Sequence, residues 1–414
     1  MTVRVVDVVV VGGGVAGSAA AYHLAVAGLR TVLVDGASAA GQATAAGAGI
    51  ISPSTSLRSG PDLLRLTTTA ARHYPELIAG LAEDGAPDPG YAVPGEVFVA
   101  ATDEEAARLP DLVDTWTRRR AEGLPNLGDI TPIDGRAARE LFPPLPGDLP
   151  AAVHVTGPAR VDGALLRDAL RFAAARHGAE VRPGHATLDR RGVTVDGERI
   201  AAAAVVVAAG AWTDELLAPL GVALGVAPQR GQIAHLRLPG RDTTGWPVVQ
   251  GFGDHYLVAF GPDRVVAGAT RETGSGFDHR LTAGGTAEVL TTALRTAPGL
   301  AAATVAEWRI GLRPWTADGL PHLGHLDLDE ATAGPGTARP AGTTTSTTTA
   351  GPGAAAPGSG GGEAGAGTPA FVVATGLGAF GLTAGPFAGL VAARLVLGED
   401  PGIDLAAYRP RPAP

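Results

Sequence analysis

The hydrophobic positions fall into two regimes. Near the start, short β-branched runs alternate with longer helical stretches. The pattern predicts a strand over 7–11, a helix over 15–27 and a second strand over 31–34. Such a βαβ unit implies parallel strands joined by a crossover helix. Helices are predicted over 63–81, over the charge-rich 103–123 and over 163–177, the last with a clear amphipathic period. "AAAAVVVAAGAW" at 201–212 reads as a buried strand ending in glycine. Residues 225–310 change character: short alternating segments such as "QIAHLRL", "HYLVAF" and "RVVAGAT" predict an antiparallel sheet. "FVVATGLGAFG" is a strand entering a glycine-rich turn, and "GPFAGLVAARLVLG" a closing helix. The overall expectation is an α/β protein.

The stretch 331–369 fits neither regime. It is rich in Gly, Ala, Thr and Pro, has no aromatic residue, and cannot bury enough apolar surface to offset its ordering entropy. It is expected to be a disordered surface insertion whose flanks meet in space, because loop closure becomes costlier only slowly with length.

Composition narrows the function. The chain has 414 residues, with 32 basic against 41 acidic and a net charge of −9, and it lacks basic runs. That argues against nucleic acid or an anionic membrane as partner. With no cysteine, disulfides, thiolate metal ligands, cysteine nucleophiles and cysteine-linked cofactors are excluded. No metal site is expected. The N-terminal run "VVDVVVVGGGVAGSAAAYHLA" superficially resembles an export signal, but its central glycines suit a strand and turn better. A cytoplasmic location is therefore the expectation. No other run looks long and apolar enough to cross a membrane, since Gly, Pro or Arg interrupts the best stretches.

The first chemical signal is Gly12-x-Gly14-x-x-Gly17 between a strand and a helix, with Asp35 ending the next strand. Gly12 suits a tight turn, Gly14 lets backbone approach a pyrophosphate, and Gly17 allows close helix–strand packing; Gly13 and Ala16 are counted with them as cofactor-binding residues. The helix N-terminus offers N–H groups and partial positive charge. Asp35 can accept from both ribose hydroxyls, which disfavours a 2′-phosphate. The motif alone does not choose between FAD and NAD.

Further motifs make that choice. "ATAAGAGIIS", "GPARVDGALLRDAL", "AAGAWTDELL", "APQRGQI", "VVAGATRETGSGFD", "GLRPWTADGLPHLG" and "ATGLGAFGLTAGP" follow the glycine motif in order. With them the chain resembles the FAD-dependent D-amino-acid oxidase, glycine oxidase and D-amino-acid dehydrogenase superfamily, over nearly everything but 331–369. The resemblance implies a Rossmann-like, glutathione-reductase-type FAD domain (1–80, 151–224 and 311–414) and an antiparallel-sheet substrate domain (81–150 and 225–310). It places Ala45, Ala46 and Gly47 along the flavin, Val181 at the adenine and Gly210 beside the pyrophosphate. Gly376, Gly378, Gly381 and Leu382 would offer donors to the flavin's pyrimidine edge. Without cysteine, FAD would be held non-covalently.

The same resemblance implies a substrate site. A bidentate guanidinium can fix an amino acid's carboxylate where lysine offers only a point charge. Arg313 in "GLRP" matches the carboxylate-binding arginine, and Tyr256 resembles the tyrosine that adds a second hydrogen bond. Arg309, Arg58 and His255 are read as structural or solvated. The implied reaction removes a hydride equivalent from a carbon bearing an amine in a D-amino acid or glycine. A secondary-amine or 2-hydroxy-acid oxidase, and a flavin-binding partner protein without such activity, stay open. So do oxygen or a quinone as electron acceptor, and a homo-oligomeric state.

Overall fold

The computed structural model describes residues 4–36, 41–57, 59–332 and 368–413. Its first sheet is built on the strand Arg4–Val11, which runs parallel to Thr31–Asp35 on one side and to Glu198–Val207 on the other. Glu180–Pro183 extends the sheet beyond Thr31–Asp35, and Ala370–Thr375 extends it beyond Glu198–Val207, both in parallel. Both faces are covered, which explains the unbroken Val8–Val11 run: every one of these side chains is buried. A short antiparallel meander, Ala186–Asp189 and Gly192–Val195, feeds into Glu198–Val207. The pattern had not announced it.

Three helices cover one face: Val15–Val26, Gly163–Arg176 and Gly381–Leu397. Val15–Val26 and Gly381–Leu397 touch at small residues. A side chain at Gly389 would overlap the Ala16 carbonyl oxygen and come within 2.6 Å of the Ala19 Cβ. Gly381–Leu397 also corrects an expectation. With the turn before it, it forms a 20-residue run, Gly378–Leu397, of mean hydropathy 1.6, long and apolar enough to span a membrane. Gly385, Pro386 and Arg394 do not interrupt it, and 61% of its most apolar window is buried inside the protein.

The second sheet has the order Ile130–Ile133, Ala151–Val155, Glu96–Ala100, Val248–Gly251, Tyr256–Phe260, Arg264–Gly268, Ala227–Arg237, Thr304–Trp315. It is antiparallel as expected, except that Val248–Gly251 runs parallel to Glu96–Ala100, and the two-residue strand Gly41–Gln42 pairs in parallel with Thr304–Trp315 at the edge. One face carries Leu257, Ala259 and Ala267 against Val289 and Ala293 of the helix Ala283–Thr296. The other face looks toward the first sheet.

Two expected domain boundaries move. Ala151–Val155 pairs on both edges within the second sheet, so it belongs there and not with 156–224. Thr304–Trp315 is one strand laddered along Ala227–Arg237, so Arg313 stands on the second sheet. The ladder carries through because Pro314 faces Pro228, and the two residues lacking an N–H share one pair. Of the expected insertion, 333–367 lie outside the described residues. Its flanks are adjacent strands, with His322–His325 antiparallel to Ala370–Thr375.

Candidate functional site

A cavity of about 1260 Å³ runs between the two sheets, from the glycine turn after the first strand to Arg313. At one end Gly12 has φ +105°, and a Cβ there would overlap the Ala208 carbonyl oxygen, so only glycine fits. Gly17 packs against the Gly12 carbonyl just as tightly. Gly13, Gly14 and Ala16 line the cavity, and the first turn of Val15–Val26 opens onto it.

Asp35 also lines this end, but it is already engaged. Its Oδ1 accepts from the Gly13 N–H at 3.0 Å, and its Oδ2 accepts from Arg171 Nη2 at 2.6 Å. Arg171 donates to the Gly13 carbonyl as well, and its Nε to Ser18 Oγ at 3.3 Å. Arg171 comes from Gly163–Arg176 and was not picked out from sequence. On one period of an amphipathic helix nothing distinguishes it from Arg167 or Arg176.

The other expected cofactor residues divide. Ala46, Gly47, Gly210, Gly378, Gly381 and Leu382 line the cavity. A Cβ on Gly47 would come within 2.6 Å of Leu382 Cδ1, which explains the small residue there. Ala45 instead turns its carbonyl to Arg309 Nη1 at 3.0 Å. Gly376 sits behind the lining in a turn with φ +76°, packed against Thr316 and Pro321. Val181 is 37% exposed and off the cavity wall; Pro183, Gly184 and His185 of the same strand and turn line it. Val181 itself therefore does not reach the cavity. At the far side of this stretch, Gly381–Leu397 presents its N-terminal turn to the cavity, with no side chain capping it.

Arg313 closes the cavity on the second sheet. Its guanidinium lies flat on Gly231, where any side chain would collide with it, and Nη1 donates to the Thr270 carbonyl at 3.1 Å. Burial pulls its pKa below the ordinary arginine value, and the Tyr256 phenol beside it pushes the other way. Tyr256 hydrogen-bonds Arg313, and burial raises the phenol's pKa. Gly268 makes room, since a Cβ there would sit 2.7 Å from the Tyr256 hydroxyl.

Asp318, the carboxylate that a purely structural Arg313 would have used, instead accepts from the Leu320 N–H at 3.0 Å. Arg309 grips Glu307 through two nitrogens and so has its own partner. His255 Nε2 lies 3.4 Å from Glu288 Oε1. Arg58 falls outside the described residues.

Two lining residues, and a carboxylate behind one of them, were missed. Arg271 faces the cavity with its Nε 3.6 Å from Asp254 Oδ2. Gln250 lines it next to Tyr256. Beneath Gln250, the fully buried Glu96 accepts from Thr55 Oγ1 at 3.0 Å and from Gln250 Nε2 at 2.9 Å, and burial pushes its carboxyl up to about 7.

The lining fits a flavin dinucleotide. Two helix N-termini and glycine turns offer N–H groups along one long channel, and they suit a pyrophosphate at one end and an electron-rich ring edge at the other. The fold and the site together define a flavin-dependent oxidoreductase. The chain belongs to the FAD dependent oxidoreductase (DAO) family, whose sequence profile matches residues 7–395. It is 39% identical to the uncharacterized oxidoreductase YurR of Bacillus subtilis (strain 168), over 97% of this chain and 98% of that one. It is 33% identical to the glycine oxidase of Geobacillus kaustophilus (strain HTA426), over 77% and 84%. Among solved structures, the iminodiacetate oxidase IdaA of Chelativorans sp. BNC1 superposes with a TM-score of 0.84 at 37% identity, covering 99% and 100% of the two chains. FAD is the cofactor.

Proposed function

We propose that this enzyme oxidises the CH–NH bond of a small amino acid, glycine or a D-amino acid, to the imino acid. The observation that carries this reading is the buried Arg313–Tyr256 pair at the end of the cofactor channel, with no carboxylate ion-paired to the guanidinium among the described residues. FAD, when bound, supplies the two-electron acceptor that takes the hydride. Arg313 would hold the substrate carboxylate through two parallel N–H donors, and Tyr256 would add a third. That fixes the α-carbon relative to the channel. Ala46, Gly47 and Leu382 line the channel, and their apolar surface would keep water from the reacting atoms. The amine must be unprotonated when the hydride leaves, because its lone pair forms the new C=N bond. Water then hydrolyses the imino acid to a 2-oxo acid and ammonia, and oxygen or a quinone receives the electrons.

A second reading rests on Arg271. A second guanidinium on the same cavity wall, felt electrostatically by both Tyr256 and Arg313, suits a substrate with a second carboxylate. An N-carboxymethyl amino acid would place one carboxylate at each arginine, and the solved relative named iminodiacetate oxidase agrees with that class.

One experiment separates these. The FAD-loaded enzyme is mixed anaerobically with glycine, D-alanine, sarcosine, iminodiacetate and glycolate, and flavin bleaching is followed before oxygen is admitted. Bleaching by glycine or D-alanine supports the first reading, and bleaching by iminodiacetate alone supports the second. Bleaching by glycolate alone, or by none of them, overturns both.

A further inference from the structure

The cavity wall on the second sheet contains a built hydrogen-bond acceptor. Phe98, Gln250, Tyr256 and Gly268 form a row across four adjacent strands, with register pairs Phe98–Gln250, Gln250–Tyr256 and Tyr256–Gly268. Directly paired residues project from the same face of a sheet. The Gln250 side chain therefore stands beside the Tyr256 phenol and faces the same space.

Its orientation is over-determined. Nε2 donates to Glu96 Oε2 at 2.9 Å and to Ser52 Oγ at 3.1 Å, which uses both amide hydrogens. Ser52 Oγ can serve either end of an amide, so it is Glu96 that decides which way Gln250 faces. Thr55 Oγ1 is a second donor to the same carboxyl oxygen, at 3.0 Å. An ionised carboxylate accepts and never donates, so the amide nitrogen must point back and the amide oxygen forward. Glu96 Oε1 is buried with no hydrogen-bond partner among the described residues, and a proton held there would leave Oε2 still accepting. A glutamine held by hydroxyls alone would have no such constraint, since a hydroxyl serves either end of an amide.

We propose that the Gln250 carbonyl accepts an N–H of the substrate amine, and that Glu96 is the positioning residue that keeps that carbonyl facing the cavity. The inference rests on the amine reading above. It adds a reason for the site to prefer an amine-bearing carboxylic acid over a plain one: Arg313 and Tyr256 recognise the carboxylate, and Gln250 recognises the neighbouring N–H.

The test uses the FAD-loaded enzyme and Gln250→Met, which keeps length and removes the acceptor, together with Glu96→Gln, whose new amide can donate and so lets Gln250 turn. The amine that bleaches the wild-type flavin serves as substrate, and acetate serves as an amine-free competitor. Gln250→Met is expected to raise KM for the amine about tenfold, the loss of one hydrogen bond to a polar group, with kcat within about twofold. Glu96→Gln should do the same to a smaller degree. The acetate inhibition constant should stay within about twofold in both. If both variants keep the wild-type KM, or if acetate binding weakens as much as amine binding, the proposal is overturned while the amine reading stands. If no amine bleaches the wild-type flavin, the amine reading itself has failed and takes the proposal with it. Should Gln250→Met fail to retain FAD, Glu96→Gln decides alone.

Discussion

Arg313 carries a charge where burial favours neutrality. Backbone from Thr270 and the Tyr256 phenol satisfy part of its fork, while Glu272 is taken by Arg230 and Asp254 lies against Arg271. A desolvated guanidinium without a carboxylate is costly to keep, and an incoming substrate carboxylate recovers that cost. Arg313→Ala should therefore retain FAD, because its hydrogen bonds among the described residues go to Thr270, Arg230 and Tyr256 and not to the glycine turns, yet raise the amino-acid KM roughly 100-fold, the equivalent of about 3 kcal/mol in two charge-assisted bonds. Arg313→Lys should fall between, as one point charge replaces a planar fork. Steady-state kinetics alongside flavin absorbance reads both quantities. A KM that stays at the wild-type value in Arg313→Ala would remove this residue from the site.

Elements that report themselves through local periodicity were legible. The βαβ start, the helices at Pro61–Glu83 and Gly163–Arg176, and the alternating strands around Tyr256 all lie where the hydrophobic pattern put them. Partners distant in sequence were not legible. Nothing local in "GEVFVA" says that Glu96 will be buried under Gln250, 154 residues later, or that their strands run parallel. Strand membership at 151–155 was misplaced for the same reason: a short strand does not reveal which sheet completes its hydrogen bonds.

Glycine-rich helices were legible as helices, but not as a contact. Val15–Val26 and Gly381–Leu397 meet through Ala16, Ala19, Ala20 and Gly389, and the neighbours of Gly389 are mostly backbone, which cannot yield as a flexible side chain would. Gly389→Ala should thus destabilise the fold by about 2 kcal/mol, an overpacking cost that outweighs alanine's better helix propensity. Denaturant unfolding followed by tryptophan fluorescence measures it. Unchanged or increased stability would mean that the two helices separate without penalty.

At the scale of the whole molecule, the cofactor end is assembled from pieces that meet only in the finished fold. Gly13 lies in the first turn, Asp35 ends the second strand, and Arg171 reaches them from a helix 158 residues beyond Gly13 and 136 beyond Asp35. The arginine does two things at once. It holds the Gly13 carbonyl on the outside of the turn, and it neutralises Asp35, which is only 19% exposed in its side chain. Each Asp35 oxygen uses one lone pair on the protein, Oδ1 on the Gly13 N–H and Oδ2 on Arg171, and keeps a second for a ribose hydroxyl. Arg171 would therefore support Asp35 as a ribose acceptor without consuming it. If Arg171 instead competed with the ribose, its removal would tighten FAD binding. Arg171→Met keeps the apolar stem and deletes the fork, which leaves Asp35 charged and partly buried with no cation. The expected result is FAD lost on dilution with a dissociation constant about tenfold higher, the cost of one unsatisfied charged partner. Once saturated with FAD, the variant should keep the wild-type substrate KM, because Arg313 stands on the other sheet. Titration of the FAD-free protein with FAD, read by flavin fluorescence, distinguishes the two roles: weaker binding supports the clamp, and equal or tighter binding refutes it.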